Sequence, residues 1–420
     1  MGDDGRRGAP ATAGFERGGR RLRGAPATAG FERGGRRPRG APATAGYERG
    51  GPGRCGAPAT TGDAVTGLGG RPPVLLVAAA PVLGGAERVL LDWARVLEPP
   101  ILMACPPGLL ADAARSAGLD VLPLPERPLR RRGRSARAAL DLAALAGDVG
   151  RLARLHHPAV VVASGQRPLL AAASAPLAGA RLLGLVHDFP PGPVVGALLR
   201  GASKRCAAIV ASSHAIAPSG RTVVIHPGID RAAWVLPDPP AGPPRALHLG
   251  ALVPWKRADL ALEIAARVPG LALDVAGAPL SGDPPAFLAA LRQRAARPDL
   301  EGRVRFLGGV EDPRTALAHA HCLLHCADRE PFGLVLMEAL AAGRPVVAPA
   351  AGGPLEIVTP ACGRLYRPGD PAAGAAALEA VLADAAAPVA ARERAAAFDA
   401  AESASRFAAV VERLARRTAS

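Results

Sequence analysis

The strongest constraint on how this chain can fold is a repeated unit: a short apolar run, a glycine or polar turn, then a helical stretch. PPVLLVAAAP (72–81) reads as a buried strand; Gly84 and Gly85 follow it, and a helical stretch covers 86–97. Further strand-like runs stand at 101–105 (ILMAC), 159–164 (AVVVAS), 181–187 (RLLGLVH), 206–213 (CAAIVASS) and 222–228 (TVVIHPG), with helical stretches between them. Such alternation builds a doubly wound α/β domain. The proline-rich LPDPPAGPP (236–244) then breaks all periodicity and reads as an interdomain linker. A second series follows at 245–252, 271–278, 304–310, 322–327 and 344–350. We expect two Rossmann-like domains facing a central cleft, residues 69–238 and 239–395. A helix over 396–420 is placed to cross back and clamp the first domain.

Ahead of them, residues 1–68 repeat GAPAT at Gly8, Gly24, Gly40 and Gly56, a period of 16. Each unit is rich in Gly, Pro and Arg and has no apolar stripe, so it cannot offset the backbone entropy of ordering, and a disordered tail is expected. The whole chain carries 51 Lys+Arg against 36 Asp+Glu, net +15, but only Lys204 and Lys256 are lysines. Arginine abundance of that kind accompanies the Ala, Gly and Pro bias of a GC-rich genome. The charge is also spread: the tail holds 12 Arg and six acids, hence +6 of the total. A specific nucleic-acid partner is therefore not expected. The apolar stretches, such as 168–180, fall short of the ~18–20 residues of a membrane span. Six cysteines are too few for a disulfide scaffold and no apolar leader opens the chain, so a cytoplasmic protein is expected, at most peripheral to the inner face of a membrane.

The densest chemistry lies in the second domain. A strand at 322–327 runs into a loop holding Glu330, then Phe332-Gly333-Leu334, then a helix start that places Glu338 about one turn inside. Free N–H groups at a helix start can hold a phosphate. The two carboxylates then sit at the carboxyl edge of a parallel sheet, where α/β proteins bind ligands. Upstream, GALVPWKRADLAL (250–262) offers Gly250, Lys256 and Arg257. A lysine in so arginine-biased a chain points to a site that needs a compact point charge. HAHCLLHC (319–326) has metal-like composition, but strand alternation divides Cys322 and Cys326 from His321 and His325, so core cysteines and no metal are expected.

Taken in order over most of residues 72–380, these segments resemble the family 4 glycosyltransferases, retaining enzymes of the GT-B fold. Glu330 and Glu338 match that family's paired-glutamate motif, and the resemblance implies that they contact the hexose and ribose hydroxyls of a nucleotide sugar. It places the donor diphosphate at Gly250 and Lys256. Ala251 stands where the family usually has Arg, and Arg257 where it has Gly. In the first domain Gly84-Gly85-Ala86-Glu87 matches the Gly-Gly-x-Glu turn, and His187-Asp188 matches the His-Asp position facing the reaction centre. Gly228, in a segment resembling Pro-Asn-Gly-Val-Asp, is expected near the cleft.

The resemblance thus implies a hexosyltransferase that uses a nucleoside diphosphate sugar, with no other cofactor and no metal. His187, Glu330 and Lys256 are its candidate catalytic residues. Gly85, Gly250, Arg257, Phe332, Gly333, Leu334 and Glu338 complete the candidate donor site. The arginines of the run at 127–137 are candidates for contact with an anionic acceptor or membrane surface. Two other readings stay open: a catalytically inactive nucleotide-sugar-binding protein, which Ala251 favours, and an Arg-rich nucleic-acid binder acting through the tail.

Overall fold

A computed structural model describes residues 71–98, 100–127, 135–218, 222–280 and 285–417. The expected tail at 1–68, and Arg130, Arg131, Arg132 and Arg134 of the basic run, lie outside these residues.

The first sheet has seven strands: β1 (Val74–Val77), β2 (Ile101–Cys105), β3 (Asp120–Pro123), β4 (Val160–Ser164), β5 (Arg181–Val186), β6 (Ala208–Ala211) and β7 (Thr222–Val224). All are parallel, in the order β3-β2-β1-β4-β5-β6-β7. The second has six: β8 (Arg245–Leu249), β9 (Ala272–Ala276), β10 (Val304–Gly308), β11 (Cys322–Leu324), β12 (Val346–Pro349) and β13 (Gly363–Tyr366). They too are parallel, in the order β10-β9-β8-β11-β12-β13. The two permutations correspond strand for strand over six strands. In each the order reverses once, between β1 and β4 and between β8 and β11, which opens a crevice at the carboxyl ends of those strands. This is the GT-B arrangement. No single helix among the described residues is long and apolar enough to cross a membrane.

Period-two alternation divides each sheet between two cores. Leu76 packs with Trp93 and Met103 on one face of the first sheet, and Leu75 and Val77 pack with Leu145 and Leu169 on the other. In the second sheet Leu247 and Leu323 face Leu336 and Leu340, while Ala246 and Leu324 face Leu262 and Leu378. Strands β3 and β13 were not apparent in the sequence. Both are sheet edges: DVLP is exposed or half-buried throughout and GRLY is half-buried at its two central residues, so no continuous apolar run marks them.

The chain passes between the domains twice at one place. Ile229 N donates to Phe398 O at 2.8 Å, and Ile229 bridges to Asp399. The following helix, Ala400–Arg416, belongs to the core of the first domain. Asp399 caps it by accepting from Glu402 N at 2.9 Å. Its fully buried Phe407 stacks on Trp93 with ring centroids 4.8 Å apart, and Trp93 Nε1 donates to Ser403 Oγ at 2.9 Å. Burying a side chain such as Phe407 is worth about 1.5–3 kcal/mol. Gly228 is fitted beneath this crossover: a Cβ there would lie 2.4 Å from Ala400 Cα. Close backbone passage therefore accounts for the glycine.

Candidate active site

The loops leaving β8 and β11 meet at the switch point of the second sheet. The first begins at Gly250, whose φ of 151° leaves the strand by a route that glycine takes without strain. Gly277, at the end of β9, supports it from below, since a Cβ at 277 would stand 1.8 Å from Gly250 O. A short 3-10 turn, Pro254–Lys256, then lifts Lys256 over the Trp255 ring at 4.3 Å. Lys256 Nζ donates to Glu330 Oε2 at 2.5 Å. Buried His325 places Nε2 3.3 Å from the same oxygen. Burial by itself would raise the Glu330 carboxyl, but His325 and the Lys256 ammonium outweigh it and hold it near 2. Deeper still, burial and then the neighbouring His325 push His248 down to about 3, so His248 stays neutral, donating from Nδ1 to Leu324 O at 3.3 Å.

Arg257 has φ 57°, a left-handed conformation. That explains why glycine is usual there in the family the segment resembles. The Arg257 guanidinium, expected beside the diphosphate, pairs instead with Asp259 at 3.1 Å and Asp328 at 2.8 Å. Ala251 supplies no cation, so Lys256 is the ammonium that this loop offers.

After Glu330 the chain turns through Phe332 and Gly333, with Gly333 at φ 112°, into the helix Leu334–Ala341. The N–H groups of Leu334 and Val335 have no acceptor among the described residues, as expected for a first turn without a side-chain cap. Glu338 lies on this helix, and its carboxylate has no hydrogen-bond partner among the described residues. Burial pushes it up to about 7, partly opposed by Arg88 of the first domain. Gly352 and Gly353 let a neighbouring loop run along this turn. A Cβ on either would stand 2.3 Å or less from a backbone oxygen of Glu330 or Phe332, and Gly353 N donates to Glu330 O at 2.8 Å.

The first domain brings its own strand ends to this place. Gly84 precedes the helix Gly85–Ala94, and Glu87 turns back to accept from Gly84 N at 3.1 Å. A Cβ on Gly85 would lie 2.6 Å from Leu334 Cδ1, so the two helix starts abut. His187, just past β5, has its Nε2 buried without a partner, and burial pushes its imidazole down to about 4. It is therefore neutral at physiological pH. Asp188 accepts from Phe189 N at 2.7 Å. Burial raises its carboxyl, and so to a lesser extent does the Glu330 charge, a sign that the two loops are close. Arg329 reaches over the Phe189 ring at 4.1 Å, and Ser213 Oγ donates to Pro331 O at 2.5 Å.

These contacts bring Gly85, Asp188, Lys256, Glu330 and Leu334 into one crevice region. Sequence reasoning passed over Arg329, Phe189 and Gly277, which show no signal without their partners. It considered His325 only as a metal ligand, whereas burial behind Glu330 is its distinctive property. Cys322 and Cys326 pack in one core cluster with Leu324, and burial pushes both thiols up to about 12. Arg127, the first arginine of the basic run, has a largely buried side chain that pairs with Asp148 at 2.5 Å.

Residues 237–398 match the family profile "Glycosyl transferases group 1". The chain is 30% identical over 226 residues to D-inositol 3-phosphate glycosyltransferase of Mycolicibacterium paratuberculosis, 50% of each chain's length. It is 36% identical over 155 residues to the enzyme of that name from Mycobacterium tuberculosis, 34% of this chain and 32% of that one. The chain thus spans about half the length, or less, of these curated relatives. Among solved structures it resembles Anabaena HepE in complex with UDP-glucose, with a TM-score of 0.70, 25% identity, and 81% and 99% of the two chains covered. It shares the fold of sucrose-phosphate synthase from Thermosynechococcus elongatus at a TM-score of 0.69 and 18% identity, over 82% and 99% of the two chains. A paired-glutamate loop and a lysine turn at one sheet switch point, set on two matching parallel sheets, are thus found in a chain whose residues 237–398 match the group 1 glycosyltransferase family.

Proposed function

We propose that this protein transfers a hexose from a nucleoside diphosphate sugar to an acceptor hydroxyl with retention of anomeric configuration. The observation that carries this reading is the Lys256–Glu330 pair beside the open N–H groups of Leu334 and Val335. As the sugar C1–O bond breaks, negative charge builds on the departing diphosphate. Lys256 and those N–H groups are arranged to stabilise it, the role a divalent cation plays in other transferases. The acceptor oxygen bonds C1 on the same face, and its proton passes to the departing phosphate oxygen. Glu330, kept ionised, accepts from hexose hydroxyls, and Glu338 accepts from the ribose. Neutral His187, at the carboxyl end of β5, orients the sugar. The UDP-glucose complex of HepE makes uridine donors the first to try, and the name of the curated relatives makes a phosphorylated polyol the first acceptor.

Ala251 favours a second reading, a donor-binding protein without turnover, because the diphosphate then has one cation where two are usual. Incubating the full chain with UDP-, GDP- and ADP-hexoses and polyol phosphates, and reading the product anomer by NMR, separates the two. A product with the donor's anomeric configuration supports transfer with retention, and an inverted product refutes it. Donor binding with no product favours the second reading.

A further inference from the structure

A cluster of His214, His226 and Glu356 plays no part in the proposed transfer. His214 lies in a 3-10 turn just after β6, His226 just past β7, and Glu356 in the short helix Pro354–Ile357 of the second domain. Glu356 Oε2 is 3.0 Å from His214 Nδ1 and 2.8 Å from His226 Nε2, and all three ligand-type atoms lie within 4.8 Å of one another. The arrangement is held from outside. Glu356 Oε1 accepts from Ala215 N at 3.1 Å, and Oε2 also accepts from His214 N at 3.1 Å. The His226 ring is stacked on Phe332 at 5.4 Å and meets Phe398 edge-on at 5.7 Å, which fixes its plane. Arg394 holds the backbone of this helix, donating to Glu356 O at 2.7 Å and Ile357 O at 2.8 Å. The His214 side chain is 74% exposed, so one side is open to solvent.

We propose that His214, His226 and Glu356 form a binding site for a zinc-class divalent ion that ties the first domain to the second. Two imidazole nitrogens and one carboxylate oxygen, with an open fourth position for water, are a donor set that suits zinc; magnesium and calcium prefer all-oxygen sets. The anchored carboxylate and the stacked imidazole supply the orientation that metal ligands normally take from their surroundings. Without metal, imidazole N–H groups satisfy Glu356. When the ion binds, each neutral imidazole carries its proton on the ring nitrogen turned away from the metal. Because the ligands come from both domains, the bound ion resists their separation.

The test is calorimetric titration of the full chain, stripped with chelator, with Zn2+, and with Mg2+ as control. His214→Ala and His226→Gln are titrated in parallel. His214 is exposed, so its variant should fold, and an unchanged unfolding temperature without metal verifies this. The expected result is one zinc per chain, no magnesium binding, and at least tenfold weaker zinc binding in both variants. Absence of zinc binding by the unaltered chain, or equal affinity in it and in folded His214→Ala, would overturn the proposal.

Discussion

Lys256 Nζ and Glu330 Oε2 lie 2.5 Å apart although 74 positions separate the residues, and both side chains are mostly buried. They emerge from β8 and β11, the neighbouring strands at which the order of the second sheet reverses. A carboxylate this buried stays ionised because His325 and the Lys256 ammonium offset its desolvation. Lys256→Ala is expected to lower kcat/KM for transfer by about 10²–10³-fold, the usual cost of removing one group that stabilises developing charge. Lys256→Arg should recover little of it, because a planar fork does not reproduce a point charge. Steady-state kinetics with the best donor measures both.

Glu338 and Glu330 should respond oppositely to pH. The raised Glu338 carboxyl binds its proton more tightly in the folded state, so its ionisation costs stability as pH rises from about 4.5 to about 7. The depressed Glu330 contributes stability that is present above about 4.5 and lost as pH falls toward about 2. If ionised Glu338 holds the ribose, donor affinity increases as pH passes through about 7, and Glu338→Gln removes that dependence. Donor titrations from pH 5.5 to 8.5 on both proteins test this.

The closeness of Gly85 to Leu334 can be tested by a double-mutant cycle. A Cβ at 85 would meet Leu334 Cδ1 at 2.6 Å, the far end of a flexible side chain. Gly85→Ala is expected to reduce transfer several-fold by pushing the two helix starts apart, and Leu334→Ala should relieve it. A coupling energy of about 0.5–3 kcal/mol is expected for residues in contact. Strict additivity would mean that the two helix starts do not touch in solution.

Phe407 tests the role of the C-terminal helix in the first domain. It is fully buried against Trp93, so Phe407→Ala should cost about 3–5 kcal/mol in urea unfolding. Gly277→Ala should also destabilise, because φ of 153° and the approach to Gly250 O both exclude a side chain. A loss smaller than about 1 kcal/mol in the first case would mean that the helix does not pack on the first domain.

Much of this arrangement could be read from the chain because its strands are covered on both faces. VLLV in β1 and VVVA in β4 announce themselves as apolar runs, and their spacing gives two parallel sheets. The edge strands β3 and β13 carry polar or glycine residues and gave no such signal. Glu330, Glu338 and Lys256 were visible as residues because motif spacing is local. Their relations were not, since the 2.5 Å pairing depends on strand order across the sheet. Arg257 illustrates the difference: its position in the motif suggested a phosphate ligand, while the fold gives it a left-handed backbone and two carboxylate partners. His325, buried behind Glu330, acquires meaning only once that carboxylate is placed.

Lys256, Glu330 and Glu338 are proposed to form a nucleotide-sugar site, which donor titration by calorimetry tests most directly. UDP-, GDP- and ADP-glucose would be titrated into the chain and into its Lys256→Ala and Glu338→Ala variants. One nucleotide class is expected to bind, and each substitution to weaken it at least tenfold, about 1.4 kcal/mol. Absence of binding for every donor, or binding that both substitutions leave unchanged, would contradict it.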